Sequence, residues 1–146
     1  MKKLVILFLS VIVIGSASIL TTSFTKSDQW TMYKQSQGIQ IYYKTVDCDD
    51  VTNGLYQKYV LLKFINTTDF DVNIKWKNEL WYDNKCSTCE SNSEELLVNI
   101  TLKAKNEVEG NCQDRKLQIF AEFKNHADVP KLTNFELSQL EIKPAL

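Results

Sequence analysis

The feature that most constrains this chain is alternation of apolar and polar residues with a period of two. Leu96, Val98, Ile100, Leu102 and Ala104 share one parity, with Asn99, Thr101 and Lys103 between them. Leu117, Ile119, Ala121 and Phe123 repeat the pattern against Lys116, Gln118, Glu122 and Lys124, as do Val72, Ile74 and Trp76 against Asn73, Lys75 and Lys77. Successive strand side chains point to opposite faces, so this spacing predicts half-buried antiparallel strands. Ile39, Ile41 and Tyr43 add another such face, and Tyr56 to Ile65 is apolar on both parities, as a central strand requires.

Turn chemistry separates these runs: Asn53-Gly54, Asn66-Thr67-Thr68-Asp69, Asp83-Asn84, Glu109-Gly110-Asn111 and Asp128-Val129-Pro130. Near the C-terminus Phe135 and Leu137 have one parity and Leu140 and Ile142 the other, which a β-bulge at Ser138-Gln139 reconciles; a short terminal helix is the competing reading. Ser91-Asn92-Ser93-Glu94 mimics a helix capping box, but the alternation that follows favours a strand. The fold class expected is all-β, an immunoglobulin-like or related Greek-key β-sandwich of about six or seven antiparallel strands, with a small barrel as alternative.

Met1-Lys2-Lys3, the apolar stretch Leu4 to Ile14 and the small residues Gly15 to Ala17 match a secretory signal peptide over 1–17, with an uncleaved anchor as the competing reading. Residues 18–37 then form a linker or edge strand and 38–146 the sandwich domain. No later run is long enough to span a bilayer, so no mature transmembrane segment is expected. Losing Lys2 and Lys3 from 17 basic residues leaves 15 against 18 acidic ones, a formal charge of −3. With Arg115 the only arginine and no basic excess, nucleic acid is excluded as a partner.

An exported chain with the even set Cys48, Cys86, Cys89 and Cys112 points to two disulfides in an oxidising compartment. Three connectivities remain open. Any complete pairing requires the loop from Lys105 to Asn111 to fold back or an extra crossing, because a long strand otherwise holds the partners apart. The alternatives are a four-thiolate zinc site using Cys48, Cys86, Cys89 and Cys112, and a redox role for Cys86-Ser87-Thr88-Cys89.

Catalytic constellations fail. His126 is the only histidine, and neither a nucleophile elbow nor a phosphate-cradling glycine loop occurs, so no catalytic residue and no cofactor are indicated. Asp47, Asp49 and Asp50 are read as a solvated acidic turn, since the calcium-loop register fails. Asn66-Thr67-Thr68 and Asn99-Ile100-Thr101 match the N-glycosylation sequon. Among aromatics, Trp30, Tyr33, Tyr42, Trp81 and Phe120 fall at edge or outward positions, and Trp76, Tyr43 and Phe123 inward. Outward rings either cover the pleat or bind, which makes Trp81, Tyr42 and Phe120 the candidate binding residues.

The motifs Asp47-Cys48, Leu80-Trp81-Tyr82 with Cys86-x-x-Cys89, and Glu109-Gly110-Asn111-Cys112 resemble small exported proteins of Gram-negative bacteria that have no assigned activity. The resemblance implies a periplasmic or secreted location. The expected function is non-enzymatic binding of an envelope protein or glycan through loops 47–54 and 83–93. The alternatives are a disulfide-stabilised structural or accessory protein without a small ligand, and a thiol-disulfide or metal-handling protein.

Overall fold

A computed structural model of the protein describes residues 29–91 and 93–145. The signal segment expected over 1–17 lies outside the described residues. Within them the chain is all-β: β1 (Thr31–Ser36), β2 (Ile39–Asp47), β3 (Gln57–Asn66), β4 (Val72–Tyr82), β5 (Lys85–Cys86), β6 (Leu97–Leu102), β7 (Glu107–Glu109), β8 (Gln118–Phe123) and β9 (Leu132–Pro144). No helix among the described residues is long and apolar enough to cross a membrane.

All pairings are antiparallel and form two sheets. In the first, β1 pairs β2 and β2 pairs β3, while β7 and β8 lie one after the other along the far edge of β3. In the second, β4 is central, with β9 on one edge and β6 followed by β5 on the other. Nine strands therefore occupy seven positions, because β7 and β8 share one and β5 prolongs the edge of β6. Strand β3 is central, as its double-sided apolarity requires, and residues 31–36 are an edge strand rather than a linker.

Ile39, Ile41, Val60, Leu62, Phe64, Leu117 and Ile119 from the first sheet meet Val72, Ile74, Trp76, Leu102, Phe135 and Leu137 from the second in one core. Phe64 stacks on Trp76 with ring centroids 4.9 Å apart. Two phenols tie the sheets across their sides. Tyr82 donates to the Phe120 carbonyl at 2.8 Å, and Tyr33 accepts from the Leu137 amide at 3.0 Å. Burial raises the pKa of both.

Bulges decide where simple parity fails. A register shift in β1 between Met32 and Lys34 turns Tyr33 inward onto Phe135, against the expectation of an outward ring. A second shift, at Lys58/Tyr59 opposite β8, pairs Phe123 with Gln57 instead of keeping the parity of Ile119. Phe123 therefore packs on outward Phe120 at 4.8 Å, not in the core. In β9 the shift falls between Glu141 and Ser138, with Gln139 at φ 52°, so the expected bulge forms and the helix does not. The capping-box sequence does fold, but into one 3-10 turn, Glu94–Leu96, with Ser93 accepting from the Glu95 amide. Strand β6 consequently begins at Leu97, and Leu96 and Ala104 fall outside it.

At the end carrying the β3–β4 and β6–β7 connections, Asn66 is 1% exposed. Its amide nitrogen donates to the carbonyls of Phe70, Leu102 and Lys103, and its oxygen accepts from the amide and hydroxyl of Thr68. Both loops are thus fastened to β3. The Asn66 amide nitrogen of the first sequon is thus bound within the folded protein, whereas Asn99 of the second is exposed.

Candidate functional site

The four sulfurs pair as Cys48–Cys112 and Cys86–Cys89. One bond lies on the outer side of each sheet, so the cysteines are not gathered into a four-thiolate set, and no group of three or more metal-ligating side chains occurs among the described residues. Two disulfides point to an oxidising, extracytoplasmic environment.

The first bond spans 64 residues with Cα atoms 5.6 Å apart. It is reached by an excursion from the edge of β3. The Gly110 amide donates to the Leu62 carbonyl at 2.8 Å, and the Leu62 amide donates to the Leu117 carbonyl at 2.9 Å. Residues 110 and 117 thus stand side by side at the neck of a loop interposed between β7 and β8. A Cβ on Gly110 would lie 2.3 Å from the Leu117 carbonyl oxygen, so glycine is required by this close approach. The sequence reads Glu109-Gly110-Asn111 as a turn; it is the entrance to this excursion. The loop carries Cys112 across the outer face of β3 to Cys48 at the end of β2, supplying the fold-back that the cysteine spacing demands. Leu61, which points to this outer face, is 4% exposed.

Beside the strap, the segment from Asp47 to Gln57 is internally fastened. The Asp50 carboxylate accepts from the Asn53 side chain at 2.7 Å and from the Asn53 amide at 3.2 Å, which holds its pKa below the usual carboxylate value. Asp49 accepts from the Gln57 amide and from Lys124 at 2.7 Å, and Asp47 lies 3.4 Å from the same ammonium. The Asp49 hydrogen bond raises the Lys124 pKa, opposed by desolvation and aided by the weaker hydrogen bond of Asp47. The acidic turn is accordingly occupied by its own donors. A hollow of about 670 Å³ opens here, lined among others by Asp49, Val51, Leu55, Gln57, Tyr59 and the Cys48–Cys112 bond.

Val51 is 70% exposed, Leu55 40% and Tyr56 37%. Sequence reasoning assigned loop 47–54 to a binding surface without singling out these side chains. The signal available was Val51 and Leu55 set among Asp, Thr, Asn and Gly, where a turn gives apolar residues nothing to pack on.

The aromatic candidates do not converge. Tyr42 and Phe120 are on the outer face of the first sheet, Trp81 on that of the second. Phe120 is engaged edge-on with Tyr59 at 5.6 Å and with Phe123, whose ring meets His126 at 5.7 Å. Tyr42 donates to the Gln40 amide oxygen at 3.1 Å. Trp30 lies under the Lys44 ammonium, 4.4 Å from its ring centroid. Lys63, 5.9 Å from the same ring, is bound by Glu109 and Glu107, whose hydrogen bonds raise its pKa.

On the second sheet, Trp81 is directly across from Cys86. Lys77 points outward yet is 5% exposed, because its ammonium donates to the Cys89 carbonyl at 3.1 Å and lies 3.6 Å from Glu79. A cavity of about 90 Å³ adjoins it, lined by Lys77, Ser91, Ser93, Leu97 and Gln139. Compared with protein-family models, curated proteins and solved structures, the chain matches none.

Proposed function

We propose that the chain is a non-enzymatic, exported β-sandwich of immunoglobulin-like or related Greek-key type, periplasmic or secreted, that docks a partner protein at the cell envelope. Its surface is the disulfide-anchored segment 47–56, and the reading places it among exported proteins like those of Gram-negative bacteria that its motifs resemble. Two antiparallel sheets joined by repeated crossings between them support the fold assignment.

The observation that carries the function is the placement of exposed apolar side chains. Val51, Leu55 and Tyr56 fall within six consecutive residues, and Val51 and Leu55 line the large hollow. A cluster of this kind, rimmed by Asp49, Thr52 and Gln57, has the composition of a protein-binding patch. Cys48–Cys112 and the Asp49 and Asp50 hydrogen bonds hold the segment in place before binding, which reduces the ordering cost of association.

A photo-crosslinking side chain at position 51, in native envelope, is expected to give a discrete protein adduct, and the same group at position 99 none. V51D/L55D should abolish the adduct with an unchanged circular dichroism spectrum, while Trp81→Ala retains it. Loss with Trp81→Ala and retention in V51D/L55D would move the site to the other sheet and reject this reading. Binding on a glycan array without any protein adduct would replace the protein partner by a carbohydrate.

A further inference from the structure

We propose that Cys86–Cys89 is an exchangeable disulfide, opened and closed by a partner dithiol while the fold stays intact, whereas Cys48–Cys112 is permanent. This site is on the second sheet, distinct from segment 47–56, and stands or falls independently of the docking surface.

Hydrogen bonds hold the segment between the two cysteines without help from the sulfur bond. Thr88 accepts from the Leu80 amide at 2.8 Å and donates to the Asn78 carbonyl at 3.1 Å. The Ser87 amide and hydroxyl both donate to the Leu80 carbonyl, at 2.9 and 3.1 Å. Lys77 fastens the Cys89 carbonyl from below. Opening the disulfide therefore leaves both thiols held near each other, the condition for reversible closure. Cross-linking residues three apart also removes less freedom from an unfolded chain, so the bond contributes about half as much to folding as one spanning 64 residues.

The sulfurs are unequal. The Cys89 amide donates to Cys86 Sγ at 3.0 Å, and this N–H stabilises negative charge on Cys86. A partner thiolate attacks Cys89 Sγ. The S–S bond breaks, and its electron pair leaves on Cys86 Sγ. The partner's second thiolate then attacks the partner sulfur of the mixed disulfide and expels Cys89. The partner dithiol is oxidised by two electrons to a disulfide, and Cys86 and Cys89 become a dithiol whose protons come from solvent. The reverse sequence reduces a partner disulfide. Ser87 between the cysteines is exposed, and both cysteines are half-buried, so the bond is open to attack from one side.

The test is differential alkylation of the folded wild-type protein across a series of dithiothreitol concentrations, with mass mapping of each cysteine and circular dichroism in parallel. Cys86 and Cys89 should become alkylated at a dithiothreitol concentration at least tenfold below that needed for Cys48 and Cys112, with the spectrum unchanged and the fluorescence of neighbouring Trp81 altered. In Cys86→Ser, which has no resolving thiol, Cys89 should accumulate a mixed disulfide with oxidised glutathione. If both disulfides open together as the fold is lost, or if Cys86–Cys89 is the more resistant, the proposal is wrong.

Discussion

The outer faces of the two sheets carry one disulfide each, and the two are built on opposite plans. On the first sheet the cystine ties an excursion that crosses β3 to the end of β2, and the excursion's neck is held by two backbone hydrogen bonds at Leu62. On the second sheet, side-chain and backbone hydrogen bonds from Ser87, Thr88 and Lys77 already fix the loop, and the cystine is added to a structure that does not depend on it. A long-range bond thus makes a surface that would otherwise not exist. A short-range bond decorates one that would.

Removing both sulfurs of the long-range bond is the strongest way to break this contrast. In the chain-entropy description, closing a loop of this length is worth about 4 kcal/mol, so Cys48→Ser/Cys112→Ser should lower the unfolding free energy by about that amount in denaturant titration. The 670 Å³ hollow should be lost with it. A loss as small as that of the Cys86/Cys89 double variant would erase the distinction.

Gly110→Ala probes the same face without touching sulfur. The added methyl meets the Leu117 carbonyl oxygen at 2.3 Å and its carbonyl carbon at 3.0 Å, backbone atoms that cannot rotate away. Overpacking of this severity should cost about 3 kcal/mol. Hydrogen exchange should locate the damage at the Gly110 and Leu62 amides, leaving β4, β6 and β9 protected.

How these faces could be foreseen follows from the physics of each. Core-facing residues such as Ile74, Trp76, Ile100 and Ile119 were legible because burial on one side of a strand writes a period of two into the sequence. Tyr33 and Phe123 were misread because one extra residue in a strand inverts parity for everything after it, and a bulge leaves no compositional mark. The Gly110 neck was hidden for a related reason: Glu-Gly-Asn has the same chemistry in a turn as at a pinch between two backbones. Lys77 has outward parity and a charge, which reads as a solvated face, and only the return of residues 86–89 over it makes it buried. Val51 and Leu55 carry no periodic signal, and Tyr56, which the sequence places at the start of the central strand, lies just before β3 and is exposed, so the exposure of all three emerges from the fold alone.

Cys86→Ser/Cys89→Ser sharpens the comparison from the other side. Closing so short a loop is worth about 2 kcal/mol at most in the same description, and the retained hydrogen bonds at Ser87 and Thr88 should keep the hairpin ordered. Denaturant unfolding should show about half the loss seen for the Cys48/Cys112 pair. Exchange protection at the Leu80 amide, which Thr88 caps, should be unchanged.

The smallest expected effect concerns the rim where the two sheets meet. Glu122 of β8 is bound by Lys58 of β3 and, at 3.2 Å, by Lys131 just before β9, and its side chain is 16% exposed. The Lys58 hydrogen bond, opposed by burial and aided by Lys131, holds its pKa below the ordinary glutamate value of 4.5. A depressed folded-state pKa means that the unfolded chain takes up the proton first on acidification. The stabilisation is therefore fully present above about pH 5, declines as pH falls below the ordinary glutamate range, and is gone once pH passes the folded-state value. Partly exposed pairs of this kind contribute on the order of 0.5 kcal/mol. Glu122→Gln should lower stability by that much at pH 7, and the gap between wild type and variant should close with acid and shrink in high salt. A gap that does not narrow as pH falls below the ordinary glutamate range would show that the carboxylate charge is not what joins the sheets there, and that Glu122 acts through packing and neutral hydrogen bonding instead.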